Sequence, residues 1–472
     1  MSKRTLRFVL LSVFPLLLCN SSIVLAQWEP DVRLTFDPLL SATSYNNAWC
    51  VAASGDSVHV VWYDSRHGPG TWEIYYKRST NGGTAWGADT RLTYDDSTSS
   101  FPTVAVSGSN VYVAWQEMRD QNPEIYFKRS TDAGSTWGAD TRLTRDTSYS
   151  YYPSLAVSGS NVHAVWEDGR DGNSEIYTKR STDAGSTWGP DVRLTNGPAS
   201  SSIPSVAVTG SNVHVVWSDY RDGDLEIYAK RSTDGGASWD PDVRLTNAPN
   251  ASMFASVAVS GANVHVVWTD QRDIDPEVYY KRSTDGGTTW DPDSRLTYRQ
   301  GSSLYASIAA SGPLVHVIWK DVGQGIYYKR STDGGTTWDP DTVVTYSSSI
   351  VLYPSVAVSG SKIHVVWWDQ RDGPSGNVEI YYKRNLTGNS GVQEGVVPVH
   401  ASRLMPHAIP NPFVNFTTLP GHSSELFSLY DISGRKVGSY KGDRVGEGLL
   451  PGVYFLRQAS GHTKSLRIIK LR

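Results

Sequence analysis

The segment STDGGTTW at residues 283–290 decides the fold of this protein, because close variants of it occur six times along the 472-residue chain. Its copies end at tryptophans that are spaced by 51 residues four times and then by 48: Trp86, Trp137, Trp188, Trp239, Trp290 and Trp338. A repeat period of this length is typical of propellers and solenoids. Most of the chain therefore consists of copies of one supersecondary unit.

Each period contains four segments with strand character. In order they read PSVAVS, VHVVW, EIYYKR and RLT, with a polar hairpin after the second and the STDGG turn after the third. Four strands per repeat correspond to one propeller blade. The abundance of Trp (17), Tyr (26) and Gly (42) beside 4 Met also favours short strands joined by tight turns. The sequence predicts an all-β fold.

The two ends of the repeat region complement one another. The VHVVW strand occurs seven times, but the last repeat stops at Arg384 without a turn or a fourth strand. Residues 28–35, WEPDVRLT, match the end of a complete repeat, WDPDVRLT at residues 239–246. We therefore expect a seven-bladed β-propeller closed by the N-terminal strand, which leaves no exposed sheet edge. An open solenoid, which would need polar caps, is disfavoured.

The repeated turn resembles the Asp-box, or BNR-repeat, family, whose pattern is Ser/Thr-x-Asp-x-Gly-x-Thr-x-Trp. The first copy has Asn81 at the acidic position. The acids of the other copies and their tryptophans are Asp132, Asp183, Asp234, Asp285, Asp333, Trp137, Trp188, Trp239, Trp290 and Trp338. We interpret them as structural, since a short carboxylate accepts backbone N–H bonds in a tight turn, glycine adopts left-handed dihedrals and tryptophan packs the turn down. In the family these turns lie away from the catalytic pocket.

Sialidases belong to the family that the repeats resemble, so exo-sialidase activity is one functional hypothesis. Those enzymes hold the substrate carboxylate with three arginines, the first in an Arg-x-Pro motif, and use an Asp acid/base and a Tyr activated by a Glu. The sequence has no Arg-x-Pro, and its arginines mostly recur once per repeat, as scaffold residues would. Catalysis needs unlike groups at one place. We therefore assign no catalytic residue, and binding is favoured over catalysis.

The end of the blades opposite the Asp boxes is where we expect a ligand. Its hairpins repeat an acid, an arginine and a glutamate, as in Asp270, Arg272 and Glu277. We interpret the arginines as braces between carboxylates. A calcium site is disfavoured because a cation lies among the candidate ligands, and neither a metal nor another cofactor is predicted.

An apolar residue precedes each inner strand: Phe101, Tyr152, Ile203, Phe254, Tyr305 and Tyr353, with Ala48 and Trp49 in blade one. Two roles fit them, packing at the channel mouth or stacking against sugar rings. Blades six, seven and one also have irregular hairpin lengths and are neighbours. We predict a ligand pocket beside them, built from Tyr63, Lys320, Trp368, Asp369, Arg371, Tyr305 and Tyr353.

Both ends of the chain are predicted to carry export signals. Residues 1–26 combine Lys3, Arg4 and Arg7 with an apolar run and predict a signal peptide cleaved near Ala26, too short to span a membrane. The mature chain keeps one cysteine, Cys50, which an inner-strand pattern predicts to be buried. The propeller is expected over residues 27–384 and a Gly- and Ser-rich linker over 385–405.

Residues 406–472 resemble the type A sorting domain of the type IX secretion system. The resemblance rests on PNPF at 410–413, LYDISGRKV at 429–437 and LLPGVYFLR at 449–457, in that order. It implies a small β-sandwich, recognition by the type IX machinery, and a secreted or outer-surface location in a Gram-negative bacterium.

Three functions remain open from the sequence. The leading hypothesis is a secreted or cell-surface protein that recognises glycan or protein through the hairpin face. The alternatives are a sialidase-type glycoside hydrolase and a passive structural or adhesive surface component. A net charge of −4 gives no reason to propose nucleic acid as partner.

Overall fold

The structure is a computed structural model in which repeated antiparallel sheets form two compact units, Met1–Gln393 and Glu394–Arg472. It describes residues 28–37, 39–44, 50–68, 70–323, 325–347, 349–372, 377–388, 426–431, 435–441, 445, 449–458 and 465–470. The signal-peptide residues 1–26, PNPF at 410–413, and Ala48 and Trp49 lie outside these ranges. None of the described residues belongs to a helix, so no membrane-spanning helix is found among them.

The first unit contains seven sheets, numbered here along the chain, and in the first six of them the strands are consecutive in sequence. Sheet 1 comprises β2 (Ser41–Ala42), β3 (Val51–Ser54), β4 (Ser57–Asp64), β5 (Glu73–Ser79) and β6 (Thr90–Arg91). Sheet 2 comprises β7 (Ser99–Ser107), β8 (Asn110–Glu117), β9 (Glu124–Ser130) and β10 (Thr141–Arg142). Sheet 3 comprises β11 (Ser150–Ser158), β12 (Asn161–Asp168), β13 (Glu175–Ser181) and β14 (Val192–Arg193). Sheet 4 comprises β15 (Ser201–Thr209), β16 (Asn212–Asp219), β17 (Glu226–Ser232) and β18 (Val243–Arg244).

The remaining sheets follow the same plan. Sheet 5 comprises β19 (Ser252–Ser260), β20 (Asn263–Asp270), β21 (Glu277–Ser283) and β22 (Ser294–Arg295). Sheet 6 comprises β23 (Ser303–Ser311), β24 (Leu314–Asp321), β25 (Gly325–Ser331) and β26 (Thr342–Thr345). Sheet 7 comprises β27 (Val351–Ser359), β28 (Lys362–Asp369), β29 (Glu379–Asn385) and, as its fourth strand, β1 (Val32–Arg33).

The N-terminal strand β1 lies antiparallel to β29, the third strand of the last repeat. Val32 is opposite Tyr382 and Arg33 is opposite Tyr381, and an isolated bridge joins Trp28 to Asn385. The pairing expected from the complementary ends of the repeat region is therefore present. With β1 as its fourth strand, sheet 7 has the four-stranded arrangement of the neighbouring sheet 6.

The first strands of consecutive sheets lie side by side, and β27 of sheet 7 lies beside β3 of sheet 1. Between them is a cavity of about 200 Å³ lined by alanine and valine from all seven first strands. Small apolar side chains are required at these positions because seven strands converge there. The repeat period thus produces the sheet arrangement of a propeller, with its first strands innermost.

The core lies between the sheets. The second strand of each sheet carries a fully buried tryptophan. Each of these tryptophans stacks on a tyrosine of the third strand with ring centroids about 6 Å apart, as Trp268 does on Tyr279. These tryptophans are Trp62, Trp115, Trp166, Trp217, Trp268, Trp319 and Trp367. Both faces of each sheet are covered, so the second strands read as almost continuous apolar runs instead of alternating ones.

Cys50 lies in this interior and is fully buried. Its thiol accepts a hydrogen bond from the Ser44 backbone N–H at 3.2 Å, and burial raises its pKa to about 11. It is therefore a packed thiol at neutral pH and not a thiolate nucleophile.

The second unit contains one described sheet. It comprises β30 (Leu426–Asp431), β31 (Lys436–Lys441), β32 (Gly452–Gln458) and β33 (Ser465–Lys470), in the order β31-β30-β32-β33. Phe427, Leu429, Val445 and Leu456 form its buried core. The sequence predicts a sandwich here, and the part of the unit that the structure describes contains one four-stranded sheet.

Candidate functional site

The Asp-box turns at one end of the sheets are built from local hydrogen bonds. The Asp285 carboxylate accepts from Ser283 Oγ at 2.7 Å and from the backbone N–H groups of Thr288 and Thr289 at 3.0 and 2.9 Å. Gly286 and Gly287 have φ of 70° and 84°, which favours glycine. The backbone and side-chain bonds from Thr289 hold the pKa of the Asp285 carboxyl well below its usual range. These contacts explain why serine, aspartate and glycine recur in the Asp box: they stabilise a tight turn.

The lysine and arginine that end each third strand join neighbouring sheets. Arg282 donates to the backbone oxygen of Gly334 and to Thr336 in the next turn, both at 2.7 Å. Lys281 donates at 2.6 Å to the backbone oxygen of Leu245, in the preceding sheet. The recurring cations of the EIYYKR segments are therefore ties between sheets, as expected of a ring of equivalent residues.

At the opposite end, here called the hairpin end, each hairpin arginine braces its own sheet. Arg272 donates to both oxygens of Asp270 at 2.7 and 2.6 Å, lies 2.9 Å from Asp293 and covers the ring of Tyr279. Burial alone would raise the pKa of Asp270, but hydrogen bonds from Arg272 and Trp268 lower it below its usual value. The second carboxylate that pairs with Arg272, that of Asp293, comes from the segment directly before the fourth strand of the same sheet.

The repeated glutamate belongs to a different ion pair. Glu175 accepts from Arg193 of the RLT segment at 2.8 Å and from Thr195 of the same segment. The hairpin arginine of its sheet, Arg170, pairs instead with Asp168 and Asp191. The sequence grouped acid, arginine and glutamate together, whereas the structure divides them between two braces.

Asp369 and Arg371, two of the predicted pocket residues, form the same brace in sheet 7. Arg371 donates to Asp369 at 2.8 Å and to Asp31 at 2.6 Å, and Asp31 also accepts from Lys383 and from Thr345 of sheet 6. Asp369 is fully buried. This pair ties the N-terminal segment to the last repeat.

Sheet 6 lacks the hairpin arginine, and a different residue takes its place. Arg299, from the connection before the sheet, lies with Nε 3.6 Å from Asp321 and covers the ring of Tyr327. In sheets 2 and 3 the equivalent connection carries an acid, Asp95 or Asp146, that faces the hairpin arginine. In sheet 6 an arginine replaces the acid of this connection, while the hairpin position has Gly323, and this substitution is visible in the aligned repeats.

Pairing with Arg299 leaves the Asp321 carboxylate without the hydrogen bonds that its equivalents accept. Both of its carboxylate oxygens and the nearby Trp319 Nε1 lack hydrogen-bond partners among the described residues, whereas Trp268 Nε1 donates to Asp270 at 2.7 Å. Asp321 is fully buried, and burial raises its pKa to about 6. It is the acid whose surroundings differ most from those of its equivalents in the other sheets.

The predicted apolar residues lie where each first strand begins, at the hairpin end of the central cavity, which we call the mouth. Each sits in a β-bulge, where the pairing with the second strand shifts register. They share a left-handed φ of 51–58°: Phe101, Tyr152, Ile203, Phe254, Tyr305 and Tyr353. This conformation is uncommon for non-glycine residues and is an outlier for β-branched Ile203. We call this set the bulge residues.

The bulge residues form two aromatic rows. Phe254, Tyr305 and Tyr353 follow one another with ring centroids 5.4 and 4.7 Å apart, and Trp368 lies 5.8 Å from Tyr353. A second row joins Tyr152, Phe101 and Tyr63 at 5.4 and 5.6 Å. Tyr305, Tyr353 and Trp368, predicted to share a pocket, are brought together.

One position of the repeat differs in every sheet. It directly follows the buried tryptophan of the second strand, and its occupants, here called the variable residues, are Tyr63, Gln116, Glu167, Ser218, Thr269, Lys320 and Trp368. They support the bulge residues: Thr269 Oγ1 and Glu167 Oε2 accept from the backbone N–H of Tyr305 and Ile203, both at 3.3 Å. The second strand, otherwise nearly uniform, thus carries seven unlike side chains at one position next to the mouth.

Two charged variable residues, Lys320 and Glu167, are buried. Burial lowers the pKa of Lys320, whose Nζ donates to the Asp321 backbone oxygen at 3.0 Å. Burial raises the pKa of Glu167, which accepts from Ser174 at 2.7 Å. Glu167 and Gln116 were not recognised from the sequence, although comparing equivalent positions across the repeats would have found them. No group of three His, Cys, Asp or Glu able to hold a metal occurs in the described ranges.

Comparison with known proteins places the chain in a family. Residues 20–266, more than half of the chain, match the model of the BNR repeat-like domain, and the chain belongs to this family. The xyloglucanase Xgh74A of Acetivibrio thermocellus is 26% identical over 188 residues, covering 34% of this chain. The chain spans only 22% of the length of that relative.

Solved structures with the same fold include two lyases. An ulvan lyase described as a new family of polysaccharide lyase has a TM-score of 0.52 at 11% identity, covering 74% of this chain and 95% of its own. The polysaccharide lyase Uly1 has a TM-score of 0.50 at 11% identity, covering 76% of this chain and 99% of its own. At this identity the similarity concerns the fold alone.

Proposed function

We propose that this protein binds a polysaccharide at the mouth of a seven-bladed propeller that the N-terminal strand closes. The observation that carries the proposal is the variable position, occupied by seven different side chains in a second strand that is otherwise nearly uniform. A structural role would be served by one residue type repeated, as the hairpin braces are. Such variation at a strand position beside the mouth is expected where a ligand without sevenfold symmetry is bound.

The chemistry of the mouth suits sugars. Aromatic faces such as those of Tyr305, Tyr353 and Trp368 pack against the apolar faces of pyranose rings. The polar groups of Gln116, Glu167 and Lys320 supply donors and acceptors of the kind that fix a bound ligand's orientation. Lys320 adds a cation that favours sugars with carboxylate or sulfate groups.

The strained backbone of the bulge residues points in the same direction. A left-handed φ costs a non-glycine residue about 1–3 kcal/mol, and such strain clusters at ligand sites. Six sheets repeat this cost at the mouth. The relatives described above, a xyloglucanase and two polysaccharide lyases, carry names that refer to polysaccharides, which favours a polysaccharide ligand over a protein.

The location follows as a further part of the proposal. Residues 1–26 would direct export, and residues 406–472, joined by the linker at 385–405, would be recognised by the type IX secretion machinery. The mature protein then meets polysaccharide outside the cell, either released or held at the outer surface.

A panel of immobilised polysaccharides, neutral and acidic, tests the function directly. The chain from residue 27 onward is expected to be retained on at least one of them, with acidic members preferred because of Lys320, and to release no reducing or unsaturated sugar. Release of sugar from the retained polysaccharide, or from a fluorogenic sialoside, would support the enzyme alternatives. Absence of both retention and release would contradict the proposal and leave the scaffold role.

A further inference from the structure

A histidine of the second strand and a tyrosine of the third strand form a pair that recurs in several sheets near the Asp-box end, where the tyrosine ring packs against the next sheet. In sheet 5 the Tyr280 hydroxyl lies 2.7 Å from His265 Nδ1, and its ring meets Trp338 of the next turn edge to face at 4.9 Å. Sheets 1, 6 and 7 contain the same pair, His59 with Tyr76, His316 with Tyr328 and His364 with Tyr382. The repeat therefore defines a site for a phenol ring between each of these sheets and the next.

Two consecutive sheets keep the histidine and lack the tyrosine. Thr178 in sheet 3 and Ala229 in sheet 4 occupy the tyrosine position, opposite Val165 and Val216, as Tyr280 lies opposite Val267. The loss of the ring leaves cavities of about 150 Å³ beside His163 and about 390 Å³ beside His214. Both ring nitrogens of His163, which is 1% exposed, lack hydrogen-bond partners among the described residues.

The larger cavity extends from the interior to the surface. Its inner wall contains His214 and Ala229, and Trp290 supplies the aromatic face that Trp338 supplies in sheet 5. Pro241 and Val243 line its outer part and are exposed. A ligand can therefore enter from solvent and reach the histidine.

From this geometry we infer that the cavity at His214 binds a phenolic ligand, whose hydroxyl occupies the position that Tyr280 Oη holds beside His265 and whose ring packs on Trp290. A cavity of about 150 Å³ holds a benzene-sized ring, so the volume of about 390 Å³ at His214 takes a phenol ring with a para substituent. Three charged side chains also line this cavity: Lys230, Arg231 and Asp240. Burial lowers the pKa of His214 to about 4, so at neutral pH its imidazole is uncharged and a ring nitrogen can accept a hydrogen bond from the phenol hydroxyl. The inference is independent of the polysaccharide site, which lies at the other end of the sheets.

Calorimetric titration with p-cresol, and with toluene as the ring that lacks a hydroxyl, tests this inference. The wild-type chain is expected to bind p-cresol at least 10-fold more tightly than toluene. Ala229→Tyr fills the cavity with the chain's own phenol ring and should abolish binding, whereas Thr178→Tyr, which fills only the smaller neighbouring cavity, should leave it unchanged.

A second variant tests the inference independently of whether Ala229→Tyr folds. His214→Ala enlarges the cavity and removes the hydrogen-bonding ring, so it should erase the preference for p-cresol over toluene while toluene still binds. Undiminished p-cresol binding by a folded Ala229→Tyr, or an unchanged preference in His214→Ala, would overturn the inference.

Discussion

Deletion of residues 28–35 is expected to lower the free energy of unfolding of the repeat unit by about 5 kcal/mol or more, because it leaves buried charges in sheet 7 unpaired. Glu379, which is fully buried, loses both Arg33 and Thr35. Arg371 loses Asp31 at 2.6 Å. Chemical denaturation of chains beginning at residue 27 and at residue 36 measures the difference.

A complementation control separates strand loss from a general truncation effect. A synthetic peptide of residues 27–36 added to the shortened chain should raise its unfolding midpoint, since the peptide can pair again with β29. The same peptide with Asp31 and Arg33 replaced by alanine should do so less well. If both chain lengths unfold at the same denaturant concentration, the N-terminal strand does not close the repeat array.

Exchange of a buried aspartate for asparagine is expected to have opposite effects in sheets 6 and 5 at pH 7. Asp321→Asn should raise the free energy of unfolding by about 1–2 kcal/mol, because it removes a buried charge without full hydrogen bonding. Asp270→Asn, the matched control, should lower it by about 3–5 kcal/mol, because it breaks the bidentate pair with Arg272. Denaturation of the two variants and the wild type gives both values.

The pH dependence of the Asp321 effect has a definite sign. An unfolded aspartate ionises near pH 3.8, whereas folded Asp321 holds its proton up to about pH 6. Between these values the folded state binds more protons, so the contribution of Asp321 to stability falls as the pH rises through this window and is constant above it. Asp321→Asn should therefore match the wild type near pH 4 and exceed it above pH 6. If the difference in free energy of unfolding between Asp321→Asn and the wild type were the same at pH 4 and pH 7, the raised pKa of Asp321 would be contradicted.

The sequence predicted the features that recur in every repeat. The tryptophan spacing gave the sheets, the matching ends gave the β1–β29 pairing, and the Asp-box acids accept backbone N–H bonds as expected from a short carboxylate before glycine. These features depend on local chemistry or on one repeated period, which a single sequence records fully. The bracing role of the hairpin arginines followed from their repetition for the same reason.

The features that the sequence analysis missed depend on departures from the repeat. Arg299 replaces a hairpin arginine from a different segment, so only the folded chain brings it to Asp321. The left-handed φ of residues such as Ile203 contradicts local preference and is imposed by the bulge. Ala229 is an unremarkable strand residue until its neighbours show that a tyrosine ring is missing. Tertiary context decides each of these cases.

The most direct test of a polysaccharide site at the mouth is calorimetric titration of the best-retained polysaccharide into the wild type, Tyr353→Ala and Tyr94→Ala. Tyr353 lies in the aromatic row at the mouth, whereas Tyr94, 71% exposed, lies outside both rows. Loss of one aromatic stacking contact should weaken binding by about 1 kcal/mol, or roughly fivefold, in Tyr353→Ala. We expect this loss in Tyr353→Ala and an unchanged affinity in Tyr94→Ala; equal affinities of all three folded proteins would contradict a polysaccharide site at the mouth.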